Sequence, residues 1–211
     1  MRYQCALVVG VCALAGGAQA ADTLLFEYSP YHSGIGGEFK LTPLAGANAG
    51  ATGLTADLSL DSLESFCMQS EELIAPGSIY RFEINTGVPS SGGFDPLDER
   101  TAYLYTYFRN GVLPGFDYGA GRTASSGDLQ NAIWFIEGET SGVNNAFVAQ
   151  ANAAVGPGGV WEGKGIGSVR VLNLFDAQRN GAQDQLTIVP GAGTLALAGA
   201  AGLLGSRRRR R

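Results

Sequence analysis

The chain has 211 residues, a formal net charge of -5 and three cysteines. Arg2 and the run Arg207 to Arg211 sit at the two ends, so the part between them sets eight basic residues against 19 acidic ones. That balance argues against nucleic acid or anionic lipid as a partner, and with His32 as the sole histidine, zinc sites and Cys-His or Ser-His-Asp catalysis are poorly supplied.

Residues 1–20 read as a secretory leader. Arg2 is followed by an apolar run from Ala6 to Leu14, too short to span a bilayer, and then by small residues ending in Ala18-Gln19-Ala20, an A-x-A cleavage site. Cys5 and Cys12 would leave with it, so the exported domain keeps Cys67 alone and cannot form an intrachain disulfide. About 170 residues remain between the leader and the C-terminal tail, enough for one domain with a proper core.

Strand-like patterns come first. Thr23 to Tyr28 is apolar and aromatic, and Glu38 to Thr42 puts Phe39 and Leu41 on one face. Ala45 to Gly53 reads as a loop. Leu54 to Leu60 alternates leucine and alanine on one side, and Leu63 to Gln69 puts Leu63, Ser65, Cys67 and Gln69 on one side. Ser78 to Asn85 alternates Tyr80, Phe82 and Ile84 against polar neighbours, and Pro89 to Gly93 reads as a turn-rich loop.

Helical spacing then takes over. Asp98 to Asn110 carries Ala102, Tyr105 and Phe108, with Gly111 to close it. Ser125 or Ser126 caps a second predicted helix whose stripe is Leu129, Ala132, Ile133 and Ile136, ending near Gly138. A third, Asn144 to Val155, uses Phe147, Ala151 and Val155, after which strands return at Ser168 to Phe175 and Gln185 to Val189. The expected fold is α+β: a β-rich sandwich or barrel-like domain, residues 21–187, with an inserted helical subdomain.

Residues 188–211 form a tail: Val189-Pro190, Thr194-Leu195-Ala196-Leu197, an apolar Gly/Ala/Leu run and the terminal arginines. The arginine cluster beside an apolar stretch orients the preceding chain outward. The tail resembles the PEP-CTERM sorting signal of Gram-negative bacteria, with Gly191-Ala192 where that family usually has Glu-Pro. The resemblance implies cutting near the Pro motif by an exosortase-type enzyme and delivery to the cell surface, with membrane contact only through the tail before processing. A plain C-terminal anchor is the alternative.

Two short motifs stand out in the middle: Phe66-Cys67-Met68-Gln69 on a predicted strand and Leu129-Gln130-Asn131-Ala132-Ile133-Trp134 on a predicted helix. Together they resemble the thioester domain of bacterial surface adhesins. The stretch from Ser65 to Leu186 also looks like a domain recurrent among PEP-CTERM proteins, through Ser65-Phe66-Cys67, Thr101 to Tyr105, Asp117-Tyr118, the Gln130 helix and Gln183 to Leu186. The thioester resemblance implies that the Cys67 sulfur and the Gln130 side-chain carbonyl join with loss of ammonia, shielded from water by Phe66, Ile133 and Trp134. A nucleophile such as a lysine amine, on a surface or matrix polymer or protein, would then be captured covalently once, without turnover and without a cofactor. The domain itself carries only Lys40 and Lys164 as competing amines. Gln69 is an awkward rival, since its Cα would stand about 6.6 Å from that of Cys67 along one strand.

The residues alone leave Cys67 with three fates: thioester, inert buried thiol, or disulfide to a second chain. Glu64, Glu71, Glu72, Glu137 and Glu139 sit where solvated carboxylates ordinarily sit, so a secreted hydrolase is not expected. Gly163-Lys164-Gly165-Ile166-Gly167 lacks the following helix a phosphate loop needs. His32 reads as a surface or hydrogen-bonded residue, and Tyr103 to Tyr107 as core and helix-surface aromatics.

Overall fold

A computed structural model describes residues 22–45, 63–90 and 92–189. The leader, the predicted strand 54–60 and the tail from Pro190 onward lie outside the described residues. Eight strands and three helices run in the order β1 (Thr23–Ser33), β2 (Gly36–Ala45), β3 (Leu63–Ser65), β4 (Ser78–Asn85), β5 (Gly87–Ser90), β6 (Gly93–Pro96), α1 (Glu99–Arg109), α2 (Arg122–Ile136), α3 (Ala146–Val155), β7 (Val169–Phe175) and β8 (Gly181–Ile188). Among the described residues no helix is long and apolar enough to cross a membrane.

Six strands form one antiparallel sheet in the order β3-β2-β1-β4-β7-β8. The sheet curls until its two edges meet. Past the end of β3 the chain runs along β8: Leu186 N–H donates to Phe66 O at 3.0 Å, Met68 N–H donates to Asp184 O at 2.9 Å, and Cys67 faces Gln185 across an antiparallel bridge. This short seam leaves little open edge for unwanted pairing. The helices are inserted between β6 and β7, so the barrel-like α+β reading holds.

Alternation along the strands sorts the apolar residues into two cores. Leu24, Phe26, Phe39, Leu41, Tyr80, Phe82, Leu172 and Leu174 fill the inside of the curl together with Cys67. Phe66, Met68, Val169, Val171 and Leu186 face the other way and pack under the helices. Tyr103 and Tyr105 belong to that second core, as their spacing suggests, and Tyr107 packs against it. α2 packs on β1 and β2, and α1 on α3.

The local signals explain most element ends. Asp98 caps α1 by accepting from Arg100 N–H, and Asn145 caps α3 by accepting from Phe147 N–H. Gly111 and Gly138, just past α1 and α2, both have positive φ, +71° and +80°. Three expectations need correcting. α2 begins at Arg122 after Gly121, without a side-chain cap; Asp117 anchors the preceding loop through Gly119 N–H and Gly121 N–H, and this frees Ser125 and Ser126 for other contacts. Pro89 and Ser90 end β5 and Gly93 begins β6, paired as a small hairpin rather than lying in a plain loop. β8 starts at Gly181, because Asp176 closes a tight turn by accepting from the N–H groups of Gln178 and Asn180.

Candidate functional site

Cys67 lies on the seam, and the seam explains its surroundings. The β8 hydrogen bonds are made by its neighbours, Phe66 and Met68. In such a non-hydrogen-bonded pair the residue's own N–H and C=O point away from the partner strand. Being buried, they need partners there. Gln130, from the middle of α2, supplies both: its Oε1 accepts from Cys67 N–H at 3.1 Å and its Nε2 donates to Cys67 O at 2.8 Å. The side-chain amide stands where a neighbouring strand's peptide would stand.

The same clamp brings the two side chains together, with the thiol donating to the amide oxygen. Cys67 Sγ is 3.2 Å from Gln130 Oε1. Cys67 is 0% exposed and Gln130 1%. The Cys67 thiol is free and neutral: burial, the largest influence, and the nearby Glu139 carboxylate push its pKa up, outweighing hydrogen bonding by the backbone and by Trp134. Its enclosure also leaves no route for a disulfide to a second chain without local opening.

Of the three residues expected to shield the bond, Trp134 shares the Cys67 core, one helical turn beyond Gln130, and its indole Nε1–H is buried without a full hydrogen bond. Phe66 and Ile133 lie in the other core, under the helices. Phe66 meets Phe108 edge-on at 5.0 Å there. Gln69 turns to the seam instead of to the sulfur, with Nε2 donating to Asp184 Oδ2 at 3.0 Å. Val189 N–H donates to Ser168 O at 2.9 Å; Pro190, the other residue of the expected sorting motif, is outside the described residues.

A cleft of about 250 Å³ lies between the β1–β2 turn and α2 and borders Gln130 without including Cys67; Ser33, Gly36, Gly127, Asn131 and Trp134 also line it. Three other cavities among the described residues, of about 350, 280 and 250 Å³, touch neither Cys67 nor Gln130. Among the described residues no group of three or more His, Cys, Asp or Glu is placed to hold a metal. His32 packs on the Tyr28 ring with centroids 4.0 Å apart, and partial burial lowers its pKa.

Two features were hidden in the sequence. Glu38 is buried, gripped by Arg122 through Nε–Oε1 at 2.8 Å and Nη2–Oε2 at 2.9 Å, with Ser126 Oγ donating to Oε1 at 2.9 Å. Arg122 also reaches Glu64 at 2.9 Å and stacks on Tyr31 at 4.2 Å. This network pins the start of α2 to β2. The carboxyls of Glu137 and Asp184 are also less solvated than expected: burial raises Glu137 to about 7 and Asp184 to about 6.

Both carboxyls hold their protons more tightly folded than unfolded. Their contribution to stability is therefore full below the ordinary values of 4.5 and 3.8 and is lost as pH rises through about 6 and 7. A thermal-unfolding series is expected to show the midpoint falling between about pH 4 and about pH 7. Glu137→Gln should flatten the upper part of that slope; an unchanged slope would mean that Glu137 is solvated.

No family model, no curated protein and no solved structure matches the chain.

Proposed function

We propose that this is an exported surface or matrix protein that binds an amine-bearing partner covalently through an internal thioester between Cys67 and Gln130. One observation carries the reading. The Gln130 amide is clamped on the Cys67 backbone with its oxygen 3.2 Å from the sulfur, both residues enclosed.

The clamp suits each stage of the chemistry. As Sγ attacks Cδ, charge develops on Oε1, which Cys67 N–H already meets, an arrangement like an oxyanion hole. Nitrogen departs as ammonia with the thiol proton, from beside Cys67 O. In capture, a partner amine attacks Cδ, the C–S bond breaks, its electron pair stays on Sγ, and the amine's proton ends on the sulfur. The product is an amide and a free thiol, formed once per molecule without the hydrolysis that would make an acyl-enzyme cycle. Export rests on the 1–20 leader, and surface delivery on the tail from Val189.

A second reading has its own support. Gln130 already satisfies two buried backbone groups of Cys67, a structural duty that needs no bond, and the thiol's raised pKa opposes attack. The protein would then be a non-catalytic surface or exopolysaccharide-associated component. Intact mass separates the two. Thioester formation predicts a purified domain lighter by one ammonia, shifted by methylamine, with no deficit in Cys67→Ala; a full mass with a titratable thiol favours the second reading.

A further inference from the structure

We infer that the cleft between the β1–β2 turn and α2 is the port through which the captured amine enters and its chain leaves, and that the turn is its cover, admitting slender, unbranched primary amines of the lysine side-chain type. This rests on the thioester reading.

The enclosure of the site requires an opening somewhere. Cys67 is covered on one side by β8 through the Gln185 bridge, and its side chain points into the packed interior of the curl. Gln130 is flanked on its helix by Leu129 and Ile133, both buried in the other core. The remaining side is the turn. Its backbone closely approaches the Gln130 side chain: a Cβ at Gly36 would stand 2.5 Å from Gln130 Cγ and 2.7 Å from Trp134 Cη2. A nucleophile cannot reach Gln130 Cδ until this turn lifts.

The turn is built to lift as a unit. Ser33 and Gly36 are its last paired residues, and Gly34 takes φ +62° at the first central position, where two-residue hairpins favour glycine. Ile35 at its tip is 73% exposed and holds nothing down. Opposite it, Gly127 on α2 presents no side chain. A Cβ there would meet Ser33 Oγ at 2.7 Å and Ser33 Cβ at 3.2 Å, so the two walls nearly touch.

The shape of the port sets the class of guest. Glycines on both walls leave a slot, and Ser33, Gln130 and Asn131 line it with uncharged polar groups beside the Trp134 ring. An amine on a straight alkyl arm fits such a slot, entering as the neutral amine after giving its ammonium proton to solvent water. A carbon branch next to the nitrogen would meet the Gly36 backbone or the indole.

The test uses a lock. Ser33→Cys with Gly127→Cys sets two Cβ atoms about 3.2 Å apart, close to the roughly 3.8 Å of ordinary disulfides. Ammonia loss in intact mass is read first, then the rate of mass gain with methylamine and with isopropylamine. Expected are a mass still short by one ammonia, methylamine opening slowed at least about tenfold in the oxidised form, and recovery on reduction with a phosphine. The unlocked domain should prefer methylamine to isopropylamine by at least about tenfold beyond the preference of its urea-unfolded thioester. Gly127→Ala, which narrows the slot without a crosslink, should slow opening if the double variant fails to fold. A thioester that opens equally fast when locked and when narrowed overturns the port alone. A wild-type domain of full mass overturns the thioester reading and the port with it.

Discussion

In a Cys67→Ala background, where no thioester can form, Gln130→Leu is expected to lower the unfolding free energy by roughly 2–6 kcal/mol. The change is nearly neutral in volume, so the loss comes from hydrogen bonding. Cys67 N–H and Cys67 O, both fully enclosed, lose their partners at 3.1 and 2.8 Å, and each orphaned buried group costs about 1–3 kcal/mol. Urea denaturation measures the change as a lower midpoint at constant slope. Gln130→Glu adds a discriminating arm. Its carboxylate can still accept from Cys67 N–H, but when ionised it turns a second acceptor toward Cys67 O. That variant should therefore be badly destabilised at neutral pH and recover part of the loss in acid, where a protonated oxygen can donate. A loss equal to that of Gln130→Leu at every pH would mean that the amide's donor arm does not matter. Neither variant can lose ammonia.

Glu38→Ala should cost about 3–5 kcal/mol, the usual penalty for removing one member of a buried ion pair. Glu38 is wholly buried and the Arg122 side chain is 15% exposed, so the stranded guanidinium cannot regain full hydration. Glu64 remains beside it at 2.9 Å and holds the loss toward the lower end. Glu38→Gln should cost less, since it keeps an oxygen for Ser126 Oγ and for one arm of Arg122. A double-mutant cycle with Arg122→Met isolates the pair. Coupling near zero would show that the start of α2 is held by packing alone, and the placement of Gln130 two turns later would then not depend on this ion pair.

Elements with a clean apolar rhythm were legible in the sequence. β4 alternates Tyr80 and Phe82 against exposed neighbours, and α1 carries Asp98 as a cap and Gly111 as a stop. The start of β8 was not legible ahead of Gln185, because Gln183 and Asp184 look like solvated residues and are in fact buried. One partner, Asn173, comes from the neighbouring strand β7, and the other, Gln69, lies past the end of β3 and meets β8 only once the sheet has curled. The start of α2 was misjudged for the same kind of reason. Ser125 and Ser126 have capping chemistry, but Asp117 and Glu38 claim them through contacts that spacing cannot reveal. Glu38 itself alternates with Phe39 as a surface residue should, yet α2 covers its face.

The candidate pair was legible as a pair of words and not as a geometry. Nothing in Phe66-Cys67-Met68 indicates that the strand lies where two sheet edges meet. That location turns the cysteine's peptide groups toward α2 and calls for a glutamine there. The same alternation that sends Cys67 inward sends Phe66 outward, so the residue next to the cysteine does not face the sulfur.

The seam has a mechanical meaning as well. Cys67 and Gln130 are 63 residues apart along the chain, one on the closure of the curled sheet and the other on the helix across it. A covalent link between them would cinch the domain like a disulfide, although Cys67 is the one cysteine among the described residues, restraining the unfolded state by roughly 4 kcal/mol on loop-entropy grounds. Capture of a partner cuts that link. The domain would be at its most resistant to heat and to pulling while it waits, and would become softer at the moment it is tethered.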